Sequence, residues 1–89
     1  MPRIFFTAHL RRHVKADTVD VEASTVRQAL ERIFETEPKL RGYVVDDRGA
    51  VRQHVMIFVN DRPLGDRETQ SDAVDARSEI HVLQALSGG

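Results

Sequence analysis

The chain contains no cysteine and no long apolar run. Without cysteine there can be no disulfide framework, no thiolate nucleophile and no cysteine-based zinc site. The longest uninterrupted apolar run, residues 55–59, is far too short to span a bilayer. Thr7 and His9 interrupt the apolar residues near the N-terminus, so no signal peptide is predicted. We therefore expect a cytoplasmic protein with no membrane partner.

An excess of one charge is also lacking. The sequence has 13 Lys and Arg against 14 Asp and Glu, and its formal net charge is −1. Both signs are scattered along the chain, whereas nucleic-acid-binding domains concentrate basic residues on one surface. We therefore expect no nucleic-acid partner. The 89 residues contain no repeat or linker, and they predict a single domain over residues 1–89.

The end of the sequence carries its most informative pattern. Residues 80–83 are β-branched or aliphatic apart from His81 and predict a strand, after which the side chains become small and lead to Ser87-Gly88-Gly89. One interpretation is an inert, frayed end. The other is a reactive terminus, because glycine has no Cβ to block a narrow channel and the arm would present an α-carboxylate. We predict a flexible tail over residues 84–89.

Apolar periodicity predicts one helix after residue 25. Thr25 and Gln28 have the spacing of a capping box, with Ser24 as the competing cap, and Pro38 ends the helix. A single apolar stripe at helical spacing consists of Val26, Ala29, Leu30, Ile33 and Phe34. Alternating patterns predict strands over residues 3–8, 18–22, 43–45 and 52–59, in addition to the last strand.

The loops carry weaker signals. His9 and His13 are four residues apart and could share a helical face that binds a metal ion. The segment is short, however, and has no cap and no acidic or cysteine third ligand, so we predict a solvated hairpin loop and no metal site. Residues 46–49 and 60–63 predict turns, and residues 65–78 form a polar crossover with Val74 as its core residue.

One predicted helix can cover only one face of a sheet. If Ile80 and Val82 are buried beneath it, strand parity leaves several large side chains near solvent on the other face. An exposed apolar patch on a small domain usually marks a partner surface, although single exposed apolar side chains are common. We predict a partner-binding surface that comprises Phe5, Met56, Phe58, His81 and Leu83, together with Leu86 of the tail.

Five short motifs, spread over nearly the whole chain, carry a resemblance to a known family. They are Leu10-Arg11, Ser24-Thr25-Val26, Asp47-Arg48-Gly49-Ala50-Val51-Arg52, Ile57-Phe58-Val59-Asn60-Asp61 and Ala85-Leu86-Ser87-Gly88-Gly89. With these motifs, and with an element order that is that of a ubiquitin-like β-grasp domain, the sequence resembles the ThiS/MoaD family of bacterial sulfur carriers. It is most similar to the branch that includes the carriers serving cysteine synthesis. The resemblance implies an α+β fold in which a mixed sheet of four to five strands carries one main helix on one face.

Three positions depart from the family pattern. Ala76-Arg77-Ser78 stands where members usually carry Asp-Gly-Asp, Gln84 where a proline is common, and Gln70 where a leucine is frequent. If Arg77 adopted the left-handed conformation that glycine favours, the strain would cost about 1–2 kcal/mol.

The resemblance implies a function for the tail. A partner enzyme of the ubiquitin-activating type would adenylate the α-carboxylate of Gly89, and sulfur would then replace AMP to form a thiocarboxylate. Ser87 and Gly88 would form the narrow arm that carries Gly89. The thiocarboxylate would donate sulfur to a downstream enzyme in cofactor or cysteine biosynthesis. On this view the chain is not an enzyme and binds no cofactor, because ATP and Mg²⁺ belong to the activating partner.

Two other functions fit the same sequence. The chain could be a ubiquitin-like modifier that is joined through Gly89 to lysines of other proteins, because the activation step is identical. It could also be an interaction domain in which the glycines are inert.

Overall fold

The computed structural model describes residues 1–6 and 18–84. In these ranges the chain forms one mixed sheet and two helices, with the strand order β2-β1-β5-β3-β4. The elements are β1 (Arg3–Phe6), β2 (Thr18–Asp20), α1 (Val26–Thr36), α2 (Pro38–Val44), β3 (Val55–Val59), β4 (Arg62–Pro63) and β5 (Glu79–Gln84). The predicted loop that contains His9 and His13 lies outside the described residues.

Strand β5 lies in the middle of the sheet. It pairs in parallel with β1 and antiparallel with β3, while β2 and β4 form the two edges. Its inward residues Ile80 and Val82 are fully buried. The last strand is therefore held on both sides, and the position at which the chain leaves the sheet is set by the core. The expected mixed α+β sheet is confirmed.

Helix α1 begins as predicted. The backbone of Thr25 is extended, and its Oγ1 accepts a hydrogen bond from the Gln28 N–H at 3.2 Å. The Gln28 side chain reaches one residue further back than a standard capping box, since its Oε1 accepts from the Ser24 N–H at 2.7 Å. The predicted apolar stripe is entirely buried and belongs to the same core as the inward residues of the sheet.

The crossover satisfies two further N–H groups at the start of α1. The Val26 N–H donates to the Asp72 carbonyl at 3.0 Å, and the Arg27 N–H donates to the Gln70 carbonyl at 2.9 Å. Because the first four N–H groups of a helix have no partner within it, these contacts supply hydrogen bonds that the helix itself cannot make. The polar crossover therefore has a structural role that its sequence did not suggest.

A second helix replaces one predicted strand. We predicted a strand at Tyr43-Val44-Val45, but residues 38–44 are helical and Val45 forms only an isolated bridge with Val51. Pro38 does end α1 as predicted, and it also opens α2, because its fixed φ and missing N–H suit a first helical position. Leu40 and Val44, four residues apart, are both fully buried and hold α2 to the core.

Strand β3 is shorter than predicted. Residues 52–54 form a turn in which the Val55 N–H donates to the Arg52 carbonyl at 3.0 Å, so His54 is not part of the strand. Val55 and Ile57 are buried and Met56 is exposed, which confirms the predicted faces. The strand is followed by a tight turn at Asn60-Asp61, where both residues have positive φ (50° and 71°), as two-residue hairpin turns require.

The crossover between β4 and β5 is organised by two aspartates. The Asp66 carboxylate accepts hydrogen bonds from the backbone N–H groups of Glu68, Thr69 and Ser71 and from the hydroxyls of Thr69 and Ser71. These bonds, led by that of the Ser71 hydroxyl, hold the pKa of Asp66 far below its ordinary value. Asp72 accepts from the N–H groups of Gly65 and Asp66, each at 2.9 Å.

The family departures have local explanations. Gln70 is 2% exposed, and its Nε2 donates to the Gly49 carbonyl at 3.1 Å and to the Arg67 carbonyl at 2.7 Å. Arg77 is not among the described residues with positive φ, so the strain considered above is not incurred. The turn is closed by Asp75, whose Oδ1 accepts from the Arg77 N–H at 2.8 Å. Val74 is buried, as predicted.

Candidate functional site: the open sheet face and the end of the last strand

Strand β5, which precedes the predicted tail, ends beside the start of β3. Gln84, which we predicted to begin the tail, is the last residue of β5 and pairs with Val55. Leu86, Ser87, Gly88 and Gly89 lie outside the described residues. The structure therefore defines the domain to which the predicted reactive terminus is attached.

The five predicted surface residues of the sheet lie together on the face opposite the helices. We call this group the open-face patch: Phe5, Met56, Phe58, His81 and Leu83. His81 pairs with Phe5 on one side and with Phe58 on the other, and Leu83 pairs with Met56. Met56 is 45% exposed and the other four are half-buried. The parity argument is thus confirmed for the position of these side chains, while their role in binding stays a prediction.

An aromatic stack lies at the centre of the patch. The rings of Phe5 and His81 are parallel within 6°, with centroids 4.5 Å apart. Residues that pair across neighbouring strands of a sheet present their side chains to the same face, so Phe58 flanks His81 on its other side. The stack holds the His81 ring in one orientation in the free protein.

Phe5, His81 and Phe58 form a row across the sheet, and two residues that sequence reasoning missed extend this row to both edges. Thr18 of β2 pairs with Phe5, and Pro63 of β4 pairs with Phe58. The signal for Pro63 was present in the sequence, because a two-residue turn at Asn60-Asp61 places Pro63 opposite Phe58. Pro63 also has no N–H to offer, which suits an edge strand.

A charged row borders the patch on the side away from the tail. The Arg3 Nε donates to the Asp20 Oδ1 at 2.8 Å, and Glu79 pairs with Arg3 across the sheet. The hydrogen bond from Arg3 holds the pKa of Asp20 below its ordinary value, and the same bond raises the pKa of Arg3. Because these side chains are about half exposed, the pair adds little to stability, but it marks where the apolar surface ends.

A basic cleft lies at the other end of the patch. This open cleft of about 580 Å³ is lined by Asp46, Val51, Arg52, Gln53, His54 and Arg67. The Arg67 Nη2 donates to the carbonyls of Arg52 at 2.6 Å and Val55 at 2.8 Å, and the Arg52 Nε donates to the Gly42 carbonyl at 2.7 Å. Backbone oxygens thus hold both guanidinium groups in place.

The sheet order, the long helix packed across one face and the crossover into a central last strand define a ubiquitin-like β-grasp protein. A model of the ThiS family matches residues 4–89. The chain therefore belongs to the ThiS family, and the match includes the Gly88-Gly89 tail.

Solved structures agree with this assignment. SAMP1 from Haloferax volcanii is 25% identical, with a TM-score of 0.81 over 99% of this chain and 98% of that chain. A chain of the BexX/CysO complex from Amycolatopsis orientalis is 18% identical, with a TM-score of 0.85 over the full length of both chains. CysO from Mycobacterium tuberculosis is 18% identical, with a TM-score of 0.81 over 97% of this chain and 100% of that chain. No protein with a curated description matches the sequence.

Two kinds of feature are absent from the part of the chain that the structure describes. Residues 1–6 and 18–84 contain no helix that is long and apolar enough to cross a membrane. In the same ranges, no group of three or more His, Asp or Glu side chains is placed to hold a metal ion.

Proposed function

We propose that the protein is a sulfur carrier whose Gly89 carboxylate is activated by a partner enzyme and converted to a thiocarboxylate. The observation that carries this proposal is membership of the ThiS family over a match that reaches residue 89 and so includes Ser87-Gly88-Gly89. The described structure supports it, because β5, the strand that precedes the tail, is central in a sheet with one apolar, partly exposed face.

The chemistry follows from the carboxylate. With a pKa near 3.5 an α-carboxylate is ionised at neutral pH and is a poor acyl donor. An oxygen of Gly89 attacks the α-phosphorus of ATP on the partner, and pyrophosphate leaves to give an acyl adenylate. Hydrosulfide then attacks the acyl carbon, AMP leaves, and a proton is released from sulfur to give the thiocarboxylate. That sulfur is the nucleophile which a downstream enzyme uses in cofactor or cysteine biosynthesis.

The partner supplies the catalytic groups, ATP and Mg²⁺, so the chain itself acts as a cosubstrate and not as an enzyme. We assign docking on the activating enzyme to the open-face patch together with Leu86 of the tail. The centre of the patch suits this role, since aromatic side chains are enriched at protein interfaces. The Amycolatopsis orientalis structure, in which BexX and CysO form a complex, offers a precedent for association with a second protein.

The test is the mass of the protein after reaction. The full chain, incubated with the activating enzyme of the same cell, ATP and sulfide, should gain the mass difference between sulfur and oxygen. Deletion of Gly89 moves the carboxylate back by up to about 3.5 Å. A misplacement of 1 Å can cost on the order of 10²-fold in rate, so the deletion should abolish ATP–pyrophosphate exchange. Gly89→Ala keeps the chain length and adds only a Cβ, so a loss of exchange in that variant would be due to the width of the tail and not to the position of its carboxylate.

Two results would end the carrier proposal. One is a truncated chain that is activated as well as the full chain, which would mean that the glycines are inert. The other is repeated failure to detect a thiocarboxylate with an enzyme that does adenylate the full chain.

A second function is favoured by one observation. SAMP1 from Haloferax volcanii, which another of its solved structures names a small archaeal modifier protein, shares 25% identity with this chain. If the present chain is also a modifier, Gly89 becomes linked to lysine amines of other proteins. Cell extracts would then contain a ladder of covalent conjugates that deletion of Gly89 removes. Peptides carrying the tail on lysine, without any thiocarboxylate, would assign the protein to this second function.

A further inference from the structure

The basic cleft beside the end of β5 has a charge opposite to that of the whole chain. Its lining contains two guanidinium groups, on Arg52 and Arg67, and one carboxylate, on Asp46, so with His54 neutral the lining is net +1. The chain as a whole carries −1. The Asp46 carboxylate is already engaged in its turn, where it accepts from the N–H groups of Arg48 at 2.8 Å and Ala50 at 3.1 Å. These bonds lower the pKa of Asp46.

The two guanidinium groups are held in place by backbone carbonyls, and the one carboxylate in the lining is that of Asp46, whose pKa the charge of Arg52 helps to lower. Their hydrogen bonds go to the carbonyls of Gly42, Arg52 and Val55. In the described ranges the ion pairs are Arg3–Asp20 and Arg27–Glu31, and neither involves Arg52 or Arg67. A side chain that is already ordered loses less conformational entropy when it binds. The cleft therefore presents positive charge that is ready for an external carboxylate.

The position of the cleft connects it to the tail. Val55 accepts from Arg67 and pairs with Gln84, the last residue of β5. Neighbouring strands are about 4.8 Å apart, so the Arg67 guanidinium lies within roughly 10 Å of the backbone of Gln84. The pair of Met56 and Leu83, which belongs to the open-face patch, is the next along the same two strands.

We propose that the basic cleft receives a carboxylate-bearing segment of the activating partner, next to the opening of that partner which admits the tail. The guanidinium fork matches a carboxylate in a bidentate geometry, and complementary charge sets the orientation and rate of association. Apolar contacts on the open-face patch and charged contacts at the cleft would then flank the tail. The proposal rests on the proposed function, because both the carrier and the modifier reaction need that partner.

The test compares three variants of the full chain in calorimetric titrations against the activating enzyme, without ATP, at low and high sodium chloride. Arg52→Gln removes the charge and retains an N–H donor for the Gly42 carbonyl. Arg52→Lys retains the charge and loses the fork. Arg32→Gln, at an exposed position on α1, is the matched control. Melting curves of all three establish that they are folded.

We expect the affinity of the wild-type chain to fall as salt rises. Arg52→Gln should weaken binding at low salt by about fivefold and should reduce the salt dependence. Arg52→Lys should recover most of that loss, and Arg32→Gln should bind like the wild type. If Arg52→Gln binds like Arg32→Gln at both salt concentrations, the proposal is overturned.

The same samples separate this proposal from the proposed function. A chain that gains sulfur while Arg52→Gln binds normally would overturn only the role of the cleft. A chain that binds through Arg52 and is adenylated but never acquires sulfur would overturn only the carrier function. ATP alone provides the last control. If it shifts the amide NMR signals of residues 52–54 in the absence of the enzyme, the cleft binds a nucleotide phosphate and the partner carboxylate is the wrong occupant.

Discussion

Replacing Gln70 by leucine tests how the crossover is held to the rest of the domain. Gln70 lies where the resemblance to the family leads us to expect leucine, yet here its side chain is buried and makes two hydrogen bonds through Nε2. The Arg67 carbonyl also accepts from the Val51 N–H at 2.9 Å, so it would keep a partner in the variant. Gly49 is buried, and its carbonyl would lose the donor that Gln70 supplies.

The expected change in the free energy of unfolding is the balance of two opposing terms. Each lost hydrogen bond costs about 0.5–1.5 kcal/mol, so the two together cost about 1–3 kcal/mol. Leucine regains about 0.8 kcal/mol for roughly one additional buried carbon. Both side chains share the left-handed backbone at this position, φ 51°, so that strain cancels in the comparison. The cost of the lost hydrogen bonds exceeds the gain from the buried carbon, so we expect Gln70→Leu to destabilise the domain by about 1 kcal/mol.

Thermal denaturation followed by circular dichroism measures this difference. For a domain of this size, 1 kcal/mol shifts the Tm by about 4–8 °C. Gln70→Ala should lose more, because it regains no buried carbon and leaves a cavity. Gln53→Leu, the same change at an exposed position, is the matched control and should stay within about 0.5 kcal/mol of the wild type. A Gln70→Leu variant that melts at or above the wild-type Tm would refute the role assigned to the Gly49 carbonyl.

Three further predictions concern the core, the patch and the crossover. Leu30→Ala, at a position 1% exposed, should reduce the free energy of unfolding by about 2–5 kcal/mol in urea denaturation, and a loss below about 1 kcal/mol would mean that the helix face is misassigned. Phe58→Asp should weaken binding to the activating enzyme by about tenfold or more, because a carboxylate would be buried in an apolar interface. The Tm of this variant should stay nearly unchanged. If the variant instead unfolds while binding is otherwise intact, Phe58 belongs to the core. The lowered pKa of Asp66 means that its stabilisation is fully present above the ordinary value of 3.8 and is lost as pH falls through the folded-state value. Asp66→Asn should therefore lower the Tm at neutral pH and flatten its dependence on acid pH, and an unchanged acid slope would assign that dependence to other carboxyls.

Several elements were predictable because their causes are local. The apolar stripe of α1, its cap at Thr25 and its end before Pro38 depend on residues within a few positions of one another. The division of the sheet into a buried and an open face was predictable for the same reason, since alternate residues of a strand point to opposite faces. One expected helix was enough to infer which face stays open, and this placed Phe5, Phe58 and His81 correctly on the same face.

Helix α2 was missed because two local signals opposed a helix. Val44 and Val45 favour a strand, and Gly42 weakens a helix. Burial of Leu40 and Val44 on one side of the segment outweighed these preferences, and that burial exists only when the core is assembled. The start of β3 was missed for a similar reason, because the turn at residues 52–54 is held by Arg67, which lies far along the chain.

The sequence by itself determined the family, the buried stripe of the helix, the open face of the sheet and the glycine-rich tail, because each depends on residue types at short spacing or at a fixed place in the chain. Only the tertiary structure decided the order of the strands, the buried role of Gln70 and the cleft formed by Arg52 and Arg67. These features depend on hydrogen bonds between residues that are distant in sequence, such as the bond from Gln70 to the Gly49 carbonyl. A polar residue in a crossover carries no mark of such a partner until folding brings the two segments together.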